Sequence, residues 1–333
     1  MSNYSVGITG IGKFVPEDVL TNHDLSKIVD TSHEWIVERT GIHERRIAKA
    51  NIAASDLGTE AARAALEDAK VQAEDIDLII VATTTAAHVF PSTACIIQKN
   101  LGLINAAAFE LSAACSGFVY GLATASSFIS SGAYEKILVI GTEVFSKIVN
   151  WKDRNTCILF GDGAGACVLQ RCEEGYGILS FDLGADGTGA DSLIVPAGGS
   201  RMPTTSDTVD KDLHYLQMDG KEVFKFGARI MEKATRNALE KANLTTEDLD
   251  FLVPHQANIR IIDNATKKLK IDKNKVCINL DKYGNMSSAS IPVSLEEAVK
   301  ENRIKKGDIV VLVGFGAGLT WGSMAIKWNK GGD

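Results

Sequence analysis

Residues 61–77, AARAALEDAKVQAEDID, reappear in altered form at residues 234–250, ATRNALEKANLTTEDLD. The two segments are 173 residues apart and share nine identical positions. In each copy, apolar residues recur at helical spacing, and an apolar strand follows: Leu78 to Ala82 in the first copy, Phe251 to His255 in the second. The repeat therefore predicts two α/β units of similar structure.

A second pair of segments has the same offset. KILVIG (residues 136–141) and IVVLVG (residues 309–314) are apolar strands whose final glycines are again 173 residues apart. Helix–strand units look alike in many α/β proteins, but an unchanged offset favours duplication. Uniformly apolar strands indicate sheets covered on both faces. We predict two α/β halves, residues 1–173 and 174–333, packed around a pseudo-twofold axis, with an inserted loop at residues 185–213.

Composition limits the possible functions. A net charge of −7 argues against a general nucleic-acid binder. The six cysteines have neither CxxC nor zinc spacing, so we expect no metal site and reduced thiols in a cytoplasmic protein. The first residues lack a basic segment followed by an apolar one, so we expect no signal peptide. Serines interrupt the uncharged stretch at residues 111–134, which favours a buried helix over a membrane span.

Cys115 lies in AACSG (residues 113–117), between a predicted strand and an uncharged helix-like segment that runs to Gly132. A helix without charged residues is usually buried. The dipole and free N–H groups at its N-terminus favour a thiolate. This placement is typical of a nucleophile, although a lone cysteine is more often a small buried hydrophobic residue.

The 173-residue offset places Ser288 opposite Cys115, in a second small-residue segment, YGNMSSAS (residues 283–290). His255 ends a predicted strand, and α/β sheets bind ligands beyond the carboxyl ends of their strands. Taken singly, His255 is compatible with a structural histidine and Asn285 with a turn. The shared register predicts that Cys115, His255 and Asn285 meet near the pseudo-twofold axis.

Three of these segments resemble the active-site segments of the β-ketoacyl-acyl-carrier-protein synthase III family: ACSGF (114–118), PHQAN (254–258) and YGNMSS (283–288). This family comprises the initiating condensing enzymes of bacterial fatty-acid synthesis, within the thiolase superfamily. The resemblance extends along nearly the whole chain through WIVERTGI (35–42), FGDGAGA (160–166) and GFGAGLTWG (314–322). It implies a thiolase-like α/β fold, layered α-β-α-β-α, and a homodimer.

The resemblance also implies a reaction. A starter acyl-CoA, acetyl-CoA or a short branched one, would condense with malonyl-acyl-carrier protein, with loss of CO₂ and without a cofactor. Cys115 would carry the acyl group, with the backbone N–H groups of Cys115 and Gly316 as the oxyanion hole. His255 and Asn285 would donate hydrogen bonds to the enolate. No nucleic-acid or membrane partner is expected.

Three further subsites follow from the resemblance. The malonyl and acyl pocket would be lined by Phe90, Phe145, Phe160 and Phe315, with Phe90 reaching into the pocket of the dimer partner. CoA would contact Trp35, Arg39, Thr40, Arg154 and Asn258, with the adenine between Trp35 and Arg154. The carrier protein would bind Gln256, Arg260, Lys267 and Lys268. Without the resemblance, Trp35 is compatible with a core aromatic residue and the basic residues with a solvated helix face.

Other functions remain open from the residues alone. The glycine-rich segments at residues 161–165 and 314–318 suggest an NAD oxidoreductase, but neither has GxGxxG spacing. A cysteine hydrolase would use the same Cys, His and Asn and release a free acid. The remaining alternatives are a polyketide or quinolone-type starter enzyme, a related acyltransferase, and a non-enzymatic thioester-binding protein.

Overall fold

The computed structural model describes residues 4–331, so residues 1–3 and 332–333 of the two predicted halves lie outside the described residues. The first part of the chain contains strands β1 (Val6–Phe14), β2 (Val19–Thr21), β3 (Glu44–Arg46), β4 (Leu78–Ala82), β5 (Ala107–Leu111), β6 (Ile137–Val144) and β7 (Asp162–Arg171). Its helices are α1 (Asn22–Leu25), α2 (His33–Thr40), α3 (Ala54–Ala69), α4 (Thr93–Leu101), α5 (Gly117–Ser131) and α6 (Arg154–Cys157).

The second part of the chain repeats this pattern of strands and helices. Its strands are β8 (Gly177–Ala185), β9 (Leu193–Ile194), β10 (Gln217–Met218), β11 (Phe251–Pro254), β12 (Ile309–Gly316) and β13 (Thr320–Lys327). Its helices are α7 (Ser206–Asp210), α8 (Gly220–Lys241), α9 (Ile259–Leu269), α10 (Leu280–Tyr283) and α11 (Ser290–Lys300). The predicted inserted loop at residues 185–213 contains short elements, among them β9 and α7.

The two main sheets have the same strand order. The first sheet runs β1-β7-β6-β4-β5, and the second, taken in the same direction, runs β8-β13-β12-β11. In the first sheet, β4 pairs in parallel with β6, and β6 pairs in antiparallel with β7. In the second sheet, β11 pairs in parallel with β12, and β12 pairs in antiparallel with β13. In place of a partner for β11 equivalent to β5, the second sheet has a single bridge between Leu252 and Val276. The shared order confirms the predicted duplication.

The 173-residue offset also holds at the level of single turns. Short 3₁₀ turns at Ala114–Ser116 and Ser287–Ala289 precede α5 and α11, respectively. Their first residues, Ala114 and Ser287, both have a φ of 46°, a left-handed conformation that is uncommon for residues other than glycine. The boundary between residues 173 and 174 falls in the turn between β7 and β8, and the division into two domains stays a prediction.

Helices α5 and α11 form a central layer between the two sheets. In β4, Leu78 and Ile80 pack in the core cluster that contains α5, whereas Ile79 and Val81 pack against α3 and α4 on the outer face. Helices α8 and α9 cover the outer face of the second sheet in the same way. The layers therefore run helix, sheet, helix, sheet, helix, as predicted.

The uncharged segment around α5 forms the buried helix that the sequence predicts. Phe118, Leu122 and Ile129 are inaccessible to solvent, and the helix ends at Gly132, which adopts the left-handed conformation with a φ of 80°. Among residues 4–331, no helix is long and apolar enough to cross a membrane. The helix is thus held by the two sheets, with its N-terminus and Cys115 near the axis between them.

Candidate active site

Cys115 occupies the 3₁₀ turn in front of α5 and is 4% exposed. The next residue ties this turn to the second half of the chain. The Ser116 hydroxyl lies 2.7 Å from the Ala113 carbonyl oxygen and 2.9 Å from the Thr320 hydroxyl, at the start of β13. The position of the thiol is therefore set jointly by the two halves.

Gly316, the last residue of β12, lies directly against Cys115. A Cβ atom at residue 316 would lie 2.6 Å from the backbone nitrogen of Cys115 and 3.1 Å from its Cβ. Any side chain would therefore collide with the backbone of the turn. The absence of a Cβ at residue 316 lets the backbones of Cys115 and Gly316 approach closely, which an oxyanion hole formed by their N–H groups would require.

His255 follows β11, and its backbone N–H donates to the Val313 carbonyl at 2.7 Å. The side chain is 1% exposed and meets the Phe315 ring edge to face, with 5.6 Å between ring centroids. Burial lowers the pKa of His255 to about 3, so the imidazole is neutral near pH 7. Within residues 4–331, its Nδ1 has no hydrogen-bond partner.

Asn285 is held from both sides by backbone contacts. Its N–H donates to the Leu159 carbonyl at 2.8 Å, and its carbonyl accepts from the Gly161 N–H at 3.0 Å. The side-chain Oδ1 accepts from the Ser287 N–H at 2.8 Å. That bond orients the amide, and the Nδ2 donates to no other group among the described residues, so it is free to donate to a ligand.

Cys115, His255 and Asn285 line one cavity, of about 80 Å³. Phe160, Phe315 and Gly316 also line it, together with Leu159, Leu193, Met218, Gly220, Val223, Phe224, Ala257, Asn258 and Ile261. An outer cavity of about 740 Å³ shares Leu159, Met218, Gly220 and Asn258 with it. The two cavities thus adjoin and form a path from the surface to the thiol.

The thiol of Cys115 differs from the expected resting thiolate. Its pKa is raised from 9.0 to about 12, mainly by burial and in smaller part by the nearby Glu143, whereas the Ser287 hydroxyl lowers it in part. A helix dipole contributes at most about 2 kcal/mol, equivalent to about 1.5 in pKa. The dipole is too weak to offset this loss of hydration, so the resting site contains a neutral thiol beside a neutral imidazole.

The outer cavity contains most of the predicted CoA contacts. Trp35, Arg39, Thr40 and Asn258 line it. Arg154 is absent from the lining because its guanidinium lies over the Trp35 ring, 4.9 Å from the ring centroid. Two stacked layers need about 7 Å. The adenine predicted between Trp35 and Arg154 therefore fits only after Arg154 moves away.

Asn258 lies at the N-terminus of α9, at the mouth of the path, which is where the outer cavity meets the inner one. Its Oδ1 accepts from the Arg260 N–H at 2.9 Å and so caps the helix, while its Nδ2 donates to the Arg39 carbonyl at 3.0 Å. Because Asn258 lines both cavities, it lies where an arm reaching toward Cys115 would pass.

Two of the four predicted pocket phenylalanines do not line the cavity. Phe145 is buried behind Phe160, with the two rings stacked at 4.8 Å, so it supports the wall rather than forming it. Phe90 is 84% exposed and lies outside the cavity of its own chain. Its role in a partner's pocket stays a prediction.

Gln256 corrects the predicted carrier-protein patch. It is completely buried, and its amide donates to the carbonyls of Pro254 and Cys277 while its oxygen accepts from the N–H groups of Asn279 and Leu280. It therefore cannot contact a docking protein. By contrast, Arg260, Lys267 and Lys268 are all exposed on α9.

The sequence reasoning missed Glu143, a buried carboxyl group near the thiol. It is inaccessible to solvent at the end of β6. A signal was available, because Glu143 closely follows the predicted apolar strand at residues 136–141 and is the first charged residue after Lys136.

Comparisons with known proteins agree with this geometry. Models for 3-oxoacyl-[acyl-carrier-protein] synthase III match residues 109–187 and, for its C-terminal part, residues 239–328. The chain is 60% identical to the β-ketoacyl-[acyl-carrier-protein] synthase III of Caldanaerobacter subterraneus subsp. tengcongensis, over 98% of both chains. It matches the crystal structure of 3-oxoacyl-[acyl-carrier-protein] synthase III from Aquifex aeolicus VF5 with a TM-score of 0.90 and 46% identity, over 97% and 100% of the two chains.

A priming β-ketosynthase from the R1128 polyketide biosynthetic pathway has the same fold. Its TM-score is 0.92 at 35% identity, over 99% of this chain and 98% of that one. The predicted thiolase-like fold is confirmed.

The raised pKa of Cys115 predicts how its reactivity depends on pH. A raised pKa leaves less thiolate than free cysteine has at the same pH, so alkylation by iodoacetamide should rise about tenfold per pH unit from pH 7 to 10 without a plateau. Mass spectrometry of the Cys115 peptide gives the rate. Free N-acetylcysteine is the control and levels off above a pKa of about 8.5. A plateau for Cys115 at or below pH 8 would contradict the neutral resting thiol.

Proposed function

The chain belongs to the β-ketoacyl-[acyl-carrier-protein] synthase III family, and we propose that Cys115, His255 and Asn285 carry the family's reaction in it. The enzyme is an acyltransferase that condenses an acyl-CoA with malonyl-acyl-carrier protein and thereby initiates fatty-acid synthesis. The residue assignment rests on one observation: a thiol, an imidazole and an amide from three separate segments line the same cavity.

In the first step, the Cys115 sulfur attacks the thioester carbonyl of the acyl-CoA. A carbon–sulfur bond to Cys115 forms and the bond to the CoA sulfur breaks. The thiol proton ends on the CoA sulfur, so the step needs no net proton uptake and is compatible with a neutral resting thiol. The N–H groups of Cys115 and Gly316 stabilise the oxyanion, and one such donor is worth about 3 kcal/mol.

In the second step, malonyl-acyl-carrier protein enters and its terminal carbon–carbon bond breaks. CO₂ leaves, and the electron pair spreads onto the thioester oxygen as an enolate. Asn285 donates to that oxygen from its oriented Nδ2. Neutral His255 donates from Nε2 when Nδ1 is unprotonated, and the lack of a partner at Nδ1 is compatible with that tautomer.

The enolate carbon then attacks the acyl group on Cys115. The new carbon–carbon bond gives the β-ketoacyl product, and the released Cys115 sulfur takes up one proton. Phe315, 2% exposed and packed edge to face on His255, presents an apolar wall where the malonyl carboxylate would lie. Such a wall favours loss of the charged carboxylate as CO₂.

The size of the inner cavity supports a short starter. A volume of about 80 Å³ is small for a ligand site, since such sites commonly measure about 300–1,000 Å³. An acetyl or short branched acyl group suits it better than a long chain. Primary fatty-acid synthesis is better supported than a polyketide pathway, because identity to the fatty-acid enzyme is 60% and to the polyketide enzyme 35%.

The cysteines support a cytoplasmic location. All six are free in the structure, although four of them are buried. Stable disulfides are common in secreted proteins and rare in the reducing cytoplasm. We therefore keep the expectation that the enzyme works in the cytoplasm, where its thiol nucleophile stays reduced.

The test of the catalytic roles separates the two half-reactions. Incubation with a panel of acyl-CoAs should give an acyl adduct on Cys115 by mass spectrometry, and Cys115→Ser should abolish condensation. His255→Ala or Asn285→Ala should lower decarboxylation of malonyl-acyl-carrier protein by about a hundredfold or more and spare the adduct. No adduct with any acyl-CoA, or loss of the adduct before loss of decarboxylation, would contradict the roles.

The exposed edge of the first sheet supports a homodimer. Strand β5 is an edge strand, and near it Val89, Phe90 and Ile104 are 90%, 84% and 79% exposed. Open edges and apolar patches of this kind are usually covered by a partner. Sedimentation equilibrium should give the mass of two chains, and Phe90→Asp should shift the equilibrium toward one chain. A concentration-independent monomer would refute the dimer.

The basic face of α9 supports docking of an acidic carrier protein. Arg260 is exposed in the first turn of α9, next to Asn258, which lines both cavities, and Lys267 and Lys268 are exposed in the last turn of the same helix. Charge of opposite sign steers encounter between partners. Arg260→Glu should raise KM for malonyl-acyl-carrier protein about tenfold and leave acylation by acyl-CoA unchanged, whereas Arg63→Glu on α3 should change neither. Equal loss with both substrates would count against this surface.

A further inference from the structure

Glu143 is a buried carboxyl group whose partners come from both halves of the chain. It accepts from the backbone N–H groups of Thr84 and Thr85, both at 3.1 Å, and from the Thr85 hydroxyl at 2.6 Å. The Ser288 hydroxyl lies 2.9 Å from its Oε1. Among residues 4–331, no lysine or arginine forms a salt bridge with it. Burial raises its pKa, and these donors oppose that effect by stabilising the carboxylate.

A short chain of contacts runs from Glu143 to the amide of Asn285. Ser288 is the middle residue of the 3₁₀ turn Ser287–Ala289. Ser287, its first residue, has a φ of 46°, and its N–H accounts for the single hydrogen bond at Asn285 Oδ1. A left-handed residue that is not glycine persists only where its surroundings hold it. The bond between Ser288 and Glu143 supplies such a restraint.

We propose that Glu143 is a positioning residue, which holds the Ser287–Ala289 turn so that Asn285 Nδ2 points at the enolate oxygen. This inference rests on the proposed function of Asn285. Glu143 reaches no substrate itself; it acts through Ser288 and Ser287. The Ser288 oxygen also lies 2.9 Å from the Ala82 carbonyl oxygen, at the end of β4, so the single hydroxyl proton is shared between this acceptor and Glu143.

The placement of Glu143 near Cys115 agrees with this role. The Ala114–Ser116 and Ser287–Ala289 turns occupy equivalent positions in the two halves, and Glu143 is close enough to raise the pKa of the Cys115 thiol. The same carboxylate thus faces the turn of the nucleophile and the turn that orients the enolate donor. The central residues of the two turns are Cys115 and Ser288, and Glu143 forms a hydrogen bond with Ser288 only. The decarboxylation step should therefore depend on it more than acylation does.

The test compares Ser288→Ala and Glu143→Gln with the parent enzyme and with Ser323→Ala. Ser323 is a matched control, because its buried hydroxyl also bonds a backbone carbonyl, that of Ala234, on the outer side of the second sheet. Two rates are measured on each preparation: release of labelled CO₂ from malonyl-acyl-carrier protein, and formation of the acetyl adduct on Cys115. Thermal unfolding reports whether each variant is folded.

Ser288→Ala should lower decarboxylation about tenfold and Glu143→Gln about a hundredfold, since small misplacements of a catalytic group have effects of this size. Acylation should stay within about twofold of the parent in Ser288→Ala. It should not fall in Glu143→Gln, because loss of the carboxylate charge lowers the pKa of the Cys115 thiol. Ser323→Ala should change neither rate. If Glu143→Gln does not fold, because its amide faces the N–H groups of Thr84 and Thr85, Ser288→Ala decides alone.

A purely structural carboxylate would lower acylation and decarboxylation together, and that result would overturn the inference. So would a Ser288→Ala variant that decarboxylates like Ser323→Ala. Failure of the proposed function itself is distinguishable, because the parent enzyme would then form no adduct on Cys115 or release no CO₂ before any variant is made.

Discussion

Helices α5 and α11 begin in two turns that meet between the sheets, and the loss of water at this place determines the chemistry of the site. Burial raises the pKa of Cys115 and lowers that of His255, so both are neutral at rest. The same low-polarity setting strengthens each correctly placed hydrogen-bond donor. The thiol of Cys115 and the imidazole of His255 are therefore both uncharged at rest, and the proposed donors to the oxyanion and the enolate are already oriented by the fold.

Much of the fold could be predicted because the chain contains two copies of one pattern. The strands at Leu78 and Phe251 begin where the repeat puts them, and the uncharged segment forms the buried α5. The offset even extends to the matching φ of Ala114 and Ser287. The short elements within residues 185–213 could not be predicted, because they have no periodicity and depend on packing against the mouth of the cavity.

In the candidate site, the residues at strand ends could be predicted from the sequence, whereas the direction of individual side chains could not. The register brings Cys115, His255 and Asn285 to one cavity because strand ends of the two sheets face the same axis. The resemblance placed Gln256 among the carrier-protein contacts, but its side chain is buried and its amide bonds four backbone groups. Glu143 was missed because its proposed role depends on a hydrogen bond with Ser288, which is 145 residues away in the sequence. Such long-range hydrogen bonds leave no trace in local spacing.

Arg154 stacks on Trp35 and thereby occupies the place proposed for the adenine of CoA. An adenine that binds in the proposed place between Trp35 and Arg154 must displace the guanidinium, so its net gain is the difference between two stacking free energies. A phosphopantetheine arm presented by a carrier protein has no adenine and leaves this stack closed. Under the proposed assignment, opening the stack costs free energy only when acyl-CoA binds, and not when the carrier protein delivers its substrate.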